Sequence, residues 1–369
     1  MLLEDIIFDK EEESILRKYR NSDKFIEMAK RKVISSAMIY SSDKDHTKKA
    51  ILTHPQFANL DHNRVLQGLI KVYGKNNENK IKKAVVTHPR FVNLNHNRVL
   101  EGLINVYGTE NKNKIKKAIL ANPPFANLNH NRVIENLFEI YGENNEEKIK
   151  KAVLIYPPFA ALNHNRVLEG LIEIYGENNE SRIKKGILTF PPFAGLNHSR
   201  VLNGLIEIYG IENEEKIKKI LVNFPPFAGY DHNRIIKDLT KVYGIKNMST
   251  IKELALNSPK FVGLNHKRVL REKSKIARLV NIDESELIEL ILKRPKYVLS
   301  YHRDFAVLDI VNELKKEGLE VTQRQVLNCY TRSPYVPNTN KLKISSARKA
   351  GVLNEMPPMY LELKNRASN

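Results

Sequence analysis

The segment Asn95-His96-Asn97-Arg98-Val99-Leu100-Glu101-Gly102-Leu103-Ile104-Asn105-Val106-Tyr107-Gly108 decides the fold. A short loop follows it, then Lys112-Asn113-Lys114-Ile115-Lys116-Lys117-Ala118-Ile119-Leu120-Ala121-Asn122 and Pro123-Pro124-Phe125-Ala126-Asn127-Leu128. Apolar residues at 99, 100, 103, 104, 106 and 107 form one helical stripe. Asn95 is a good N-cap and Gly108 a good C-terminal stop, so the first helix is bounded at both ends. The sequence predicts a second helix over roughly Lys112 to Asn122, with Asn111 as its cap. That helix must stop near Pro123, because a proline disfavours helix in the residue before it. Pro123 to Leu128 reads as a tight corner whose Phe and Leu plug the core.

Working outward, the same text recurs along the chain. His62, His96, His130, His164, His198, His232 and His266 are each 34 residues apart, and the Pro123, Phe125 and Gly108 positions recur in register. A degenerate copy (Pro295, Tyr297, His302, Phe305) follows, and residues 24–50 read as a worn first unit. A two-helix unit of this size cannot bury its own apolar stripe, but stacked neighbours can. The expected fold is therefore all-α: an α-solenoid of tandem 34-residue two-helix repeats with helical caps. The expected organisation is an N-terminal helical cap over 1–50 and the tandem repeats over 51–282. A degenerate repeat with a helical cap over 283–330 and an irregular basic tail over 331–369 follow. Within the C-terminal part, helices are expected at Glu286–Lys293, Phe305–Gly318 and Thr322–Tyr330. Tyr107, Phe125 and their equivalents are expected in the core. Gly68, Gly102, Gly170 and Gly204 sit inside first helices, where glycine is costly, and are expected to mark close helix–helix approach.

The pattern resembles the mitochondrial transcription termination factor (mTERF) family. Ile81 to Phe91 followed by Val99 to Gly108 carries the likeness, as does Leu292 to Tyr301 near the end. The resemblance covers residues ~45–320. It implies a right-handed or curved α-solenoid that binds nucleic acid along a basic concave groove, in transcription or RNA regulation.

Composition narrows the classes. The 369 residues carry 61 Lys and Arg against 42 Asp and Glu, a net +19 that attracts nucleic acid or an anionic surface. Cys329 is the only cysteine, which excludes a disulfide scaffold and a multi-cysteine zinc site. No apolar run approaches a membrane span, and the acidic N-terminus does not read as a targeting signal. A cytoplasmic monomer with no membrane partner is expected. No catalytic signature occurs, so no enzyme, cofactor or metal is expected. The histidine row lacks carboxylate or cysteine partners at ligand spacing.

Charge is uneven: +9 over residues 1–128, −3 over 129–214, +7 over 215–270 and +6 over 271–369. Two basic rows are candidates for binding nucleic acid. Arg64, Arg98, Arg132, Arg166, Arg200, Arg234 and Arg268 sit in the first turn of each first helix, where a cation is disfavoured unless an anion is near. One phosphate per repeat, held by the arginine, the histidine and the helix N-terminus, is the functional reading. Pairing with the capping Asp or a neighbouring Glu is the structural one. Lys83, Lys117, Lys151, Lys185 and Lys219 form a second row on the second helices, as a phosphate-tracking stripe or a solvated face. His88, Asn122 and Tyr156 vary from copy to copy just before the proline and are candidates for reading bases; drift explains the same variation. A stacking period of ~8–10 Å suits one splayed nucleotide or about three base pairs per repeat, leaving strand type open. The alternative is a scaffold for protein–protein interaction. Unpaired basic rows favour nucleic acid; rows tied to Glu of adjacent repeats favour the scaffold.

Overall fold

The computed structural model describes residues 6–279, 283–293, 314–316 and 318–319. The expected degenerate copy at Pro295 to Phe305, the helix over Thr322–Tyr330, the tail over 331–369 and Cys329 lie outside these residues. Of the helix expected over Phe305–Gly318, residues 314–316 are described and are helical. The chain is all-α among its described residues, an α-solenoid built as tandem two-helix repeats, and it divides into two units between Asn197 and His198.

The first unit opens with α1 (Lys10–Tyr19), α2 (Asp23–Tyr40) and α3 (Lys44–Thr53). Helix pairs follow: α4 (His62–Tyr73) with α5 (Glu78–Thr87), α6 (His96–Tyr107) with α7 (Lys112–Ala121), α8 (His130–Tyr141) with α9 (Glu146–Ile155), and α10 (His164–Tyr175) with α11 (Glu180–Thr189). The second unit holds α12 (His198–Tyr209), α13 (Glu214–Asn223), α14 (His232–Tyr243), α15 (Met248–Asn257), α16 (Pro259–Val262), α17 (His266–Leu279) and α18 (Glu284–Lys293). The pairing reaches back to α2 and α3, so α3 runs across residue 50, where a boundary was expected.

Local chemistry sets each boundary. The Asn95 side-chain oxygen accepts from the Arg98 backbone N–H at 3.2 Å, and Asp61 does the same for Arg64 at 3.1 Å. The helix ends at Gly108, whose φ of +90° is costly for any residue with a Cβ. Asn111 does not cap the second helix, as the sequence had suggested. Its amide donates instead to the Tyr107 carbonyl at 2.7 Å, and Asn77, Asn145, Asn179, Asn213 and Asn247 repeat this bond. The orphan carbonyls of the first helix are the nearer need, since a short 3-10 turn already leads into the second. The second helix stops at Asn122, whose ψ of 82° is the extended conformation a following proline imposes. The corner is a five-residue 3-10 helix, Pro123–Asn127, that buries Phe125 completely.

The glycines inside the first helices do not mark close approach. A Cβ on Gly68, Gly102, Gly170 or Gly204 would meet nothing within 4 Å. These positions lie on the outward face of the helix rather than on its packed stripe. In the first unit, successive second helices lie closer together along their length than successive first helices.

Candidate nucleic-acid interface

The histidine row is a joint between repeats. His130 is buried at the start of α8. Its Nε2 lies 2.7 Å from the Phe125 carbonyl and its Nδ1 lies 2.8 Å from the Tyr107 hydroxyl of the preceding repeat. A carbonyl only accepts, so Nε2 carries the proton and Nδ1 accepts from the tyrosine O–H. His164, His232 and His266 carry the Nε2 bond, and the tyrosine bond also recurs at His62 and His96. The Nε2 atoms of His62 and His96 are buried facing the equivalent carbonyls, of Phe57 and Phe91, without completing the bond. The three rings pack as a cluster: Phe125 and His130 are T-shaped with centroids 4.3 Å apart, and Tyr107 and His130 at 5.4 Å. Burial pushes His62, His96 and His266 down to about 4, and His130, His164 and His232 downward as well.

A phosphate pocket made by arginine, histidine and helix N-terminus is therefore not what the fold builds. Both nitrogens of the paired rings are engaged inside the core, and the capping residue already takes one of the free N–H groups. Only the arginine side chains stay outside. All seven are exposed. Among the described residues, Arg64, Arg98, Arg132 and Arg166 have no ion pair, whereas Arg234 Nε sits 3.8 Å from Asp238 on its own helix. Glu101, Glu135 and Glu169 share the exposed surface of α6, α8 and α10, so this row has mixed charge.

The second helices differ. From α5 to α13 each carries two adjacent lysines with separate duties, whereas α15 has Lys252-Glu253. The first of the pair is half-buried, and in α5, α9, α11 and α13 it is bonded to a glutamate one turn earlier: Lys82 to Glu78 at 2.9 Å, Lys150 to Glu146 at 2.6 Å, Lys184 to Glu180 at 2.7 Å and Lys218 to Glu214 at 2.8 Å. The second of the pair, Lys83, Lys117, Lys151, Lys185 or Lys219, is exposed and has no ion pair among the described residues. One turn earlier lie exposed Lys80, Lys114, Lys148 and Arg182; the last three bond the loop asparagines Asn111, Asn145 and Asn179. A groove of about 650 Å³ between α9 and α11 is lined by Lys148, Lys184 and Lys185 and also by Glu177 and Glu180. The groove between first helices α8 and α10 is smaller, about 330 Å³, and contains Glu139 and no cation.

The variable positions divide. His88 is exposed, with Thr87 Oγ1 3.0 Å from its Nδ1. Asn122 is half-buried. Tyr156 has a packing role: its hydroxyl occupies the place where a side chain on Gly195 would go, 3.0 Å from that Cβ. Tyr230 and Gly263 are matched in the same way in the second unit. Thr53, Thr87, Thr189 and Asn223 bond carbonyls of their own last turn. Much of the variation before the proline is thus local capping and fitting. The sequence missed the tyrosine–histidine joint, although from Tyr73 onward both residues hold the 34-residue period with an offset of 23, against 22 for Tyr40 and His62.

No described helix is long and apolar enough to cross a membrane. No protein-family model, curated protein or solved structure matches this chain.

Proposed function

We propose that the chain binds nucleic acid by tracking its phosphate backbone along the second helices. The observation that carries this reading is the row Lys83, Lys117, Lys151 and Lys185 in the first unit, with Lys219 at the equivalent repeat position in the second. In each of these five copies the neighbouring lysine is tied to a carboxylate or half-buried, while this one is exposed and unpaired among the described residues. A like-charged row that the protein itself leaves uncompensated is suited to an anionic polymer, whose bound counterions it releases. The exposed arginines of the first helices are a weaker candidate, because glutamates share their face. A role in transcription or RNA regulation rests only on the mTERF-like motifs.

The test is fluorescence anisotropy of labelled single- and double-stranded DNA and RNA over a salt series. The parent should bind with log-affinity falling steeply against log salt. Replacing Lys83, Lys117, Lys151 and Lys185 together by Gln should reduce that slope by about 3. The same replacement at Arg98, Arg132 and Arg166 should change it less. A larger loss from the arginine set would move the interface to the first helices, and no binding at low salt would end the proposal.

A second reading, a protein-docking scaffold, has one observation of its own. Ile211 and Ile245 occupy the same position in two loops of the second unit and are 65% and 76% exposed. Such apolar positions suit a protein partner better than a phosphate backbone.

A further inference from the structure

The second-helix lysines form a regular lattice of compensated charge, and α7 breaks it. In α5, α9, α11 and α13 the half-buried lysine meets a glutamate four residues earlier. In α7 the glutamate position is Lys112, and the half-buried lysine is Lys116. No carboxylate pairs with either among the described residues, and burial together with the Lys112 charge pulls Lys116 below the usual lysine range. The α3 helix has the same substitution, with Lys44 preceding Lys48, yet there Glu12 of α1 reaches across to Lys48 at 2.7 Å. In α15 the position holds Met248, so no second cation crowds Lys252. Among the described second helices, α7 alone sets two lysines together on one face with nothing to neutralise them. Exposed Lys114 and Lys117 flank them, and α7 contains no acidic residue.

We infer that the α7 face is a phosphate anchor: a site where Lys112 and Lys116 jointly hold one phosphate of a bound nucleic acid, in the place that a glutamate fills in the neighbouring repeats. This deepens the proposed function and rests on it for the identity of the ligand, not for the existence of an anion site. A carboxylate in the glutamate position lies within 3 Å of the lysine Nζ in α5, α9, α11 and α13. A phosphate oxygen in that position would make the same charge-assisted bond to Lys116 and a second to Lys112. The rest of the row then tracks the backbone outward from this fixed point.

The experiment compares three variants with the parent, using a fluorescein-labelled oligonucleotide of the preferred strand type and, separately, inorganic polyphosphate. Lys112→Glu rebuilds the neighbouring repeats' ion pair, so it should melt no lower than the parent. It should nevertheless lower the salt slope by about 2, one for each lysine removed from phosphate contact. Lys185→Glu makes the same charge change elsewhere on the row and should lower the slope by about 1. Glu146→Lys creates the α7 arrangement in α9 and should tighten binding of both probes. Equal losses from Lys112→Glu and Lys185→Glu, without a gain from Glu146→Lys, would overturn the anchor and leave the nucleic-acid reading standing. Binding of polyphosphate that depends on Lys112, with no oligonucleotide bound, would keep the anion site and remove the nucleic acid. Binding of neither probe by the parent would overturn both.

Discussion

Two glycines six residues apart do opposite things. Gly108 sits at φ +90°, where a Cβ is strained, and that Cβ would also run into the Glu110 carboxylate. Gly102 sits in open space in the middle of α6. Changing Gly102 to Ala should therefore stabilise by ~0.5–1 kcal/mol, through helix propensity and reduced freedom of the unfolded chain. Changing Gly108 to Ala should destabilise by ~1–3 kcal/mol, through backbone strain. Thermal melts of the two variants check this; a lower midpoint for Gly102→Ala would mean that something packs on that face. The sequence showed that both were glycine but not which was required. Backbone conformation separates them, and the 3.6-residue stripe places Gly102 near its edge, where the pattern decides poorly.

At the scale of the element, the boundaries were the most legible part. Caps, C-terminal glycines and the pre-proline stop act within a few residues, so their signals stay local in the sequence. The asparagine after each glycine was misassigned because it lies between two helix ends and can serve either. The structure gives it to the earlier one, at the Tyr107 carbonyl. Lysines such as Lys117 were read as a phosphate-tracking stripe or a solvated face, and they are exposed while their neighbours such as Lys116 are half-buried. Their unequal compensation was hidden, because an i,i+4 partner matters only once the face on which it lies is known. The same blindness covers Tyr156 and Gly195, whose fit joins residues 39 positions apart.

At the scale of the whole molecule, the buried imidazoles set the response to acid. An imidazole that titrates at about 6.5 in the unfolded chain is held neutral down to about 4 at His62, His96 and His266. Between those values the unfolded chain binds more protons than the folded one. Stability is thus fully present above pH 6.5 and falls as pH drops towards 4, by about 1.4 kcal/mol per pH unit for each ring. Each such ring withdraws about 3 kcal/mol over the window, and His130, His164 and His232 act in the same direction. Urea midpoints measured from pH 7.5 to 4 should hold steady above 6.5 and then fall steeply; a flat profile would mean that the rings protonate without breaking the joint. The repeat architecture was legible from the period alone. The candidate binding face was only half legible, because the sequence offered two basic rows and the mixed-charge surroundings of the arginines were not visible in it.

The joint also makes length a variable. The Tyr107 hydroxyl meets His130, and the Tyr141 hydroxyl meets His164, through the same atoms at 2.8 and 2.9 Å. Excising residues 130–163 would bring His164 to the place of His130, with the Phe125 corner still ahead of it. No new chemistry is needed at the seam. Such a shortened chain should fold and keep its helical signal per residue, as circular dichroism would report, and collapse of that signal would show that neighbours are matched individually. A gene built this way can gain or lose whole cassettes by recombination between its own copies, changing the reach of the product while every seam keeps the same tyrosine–histidine joint.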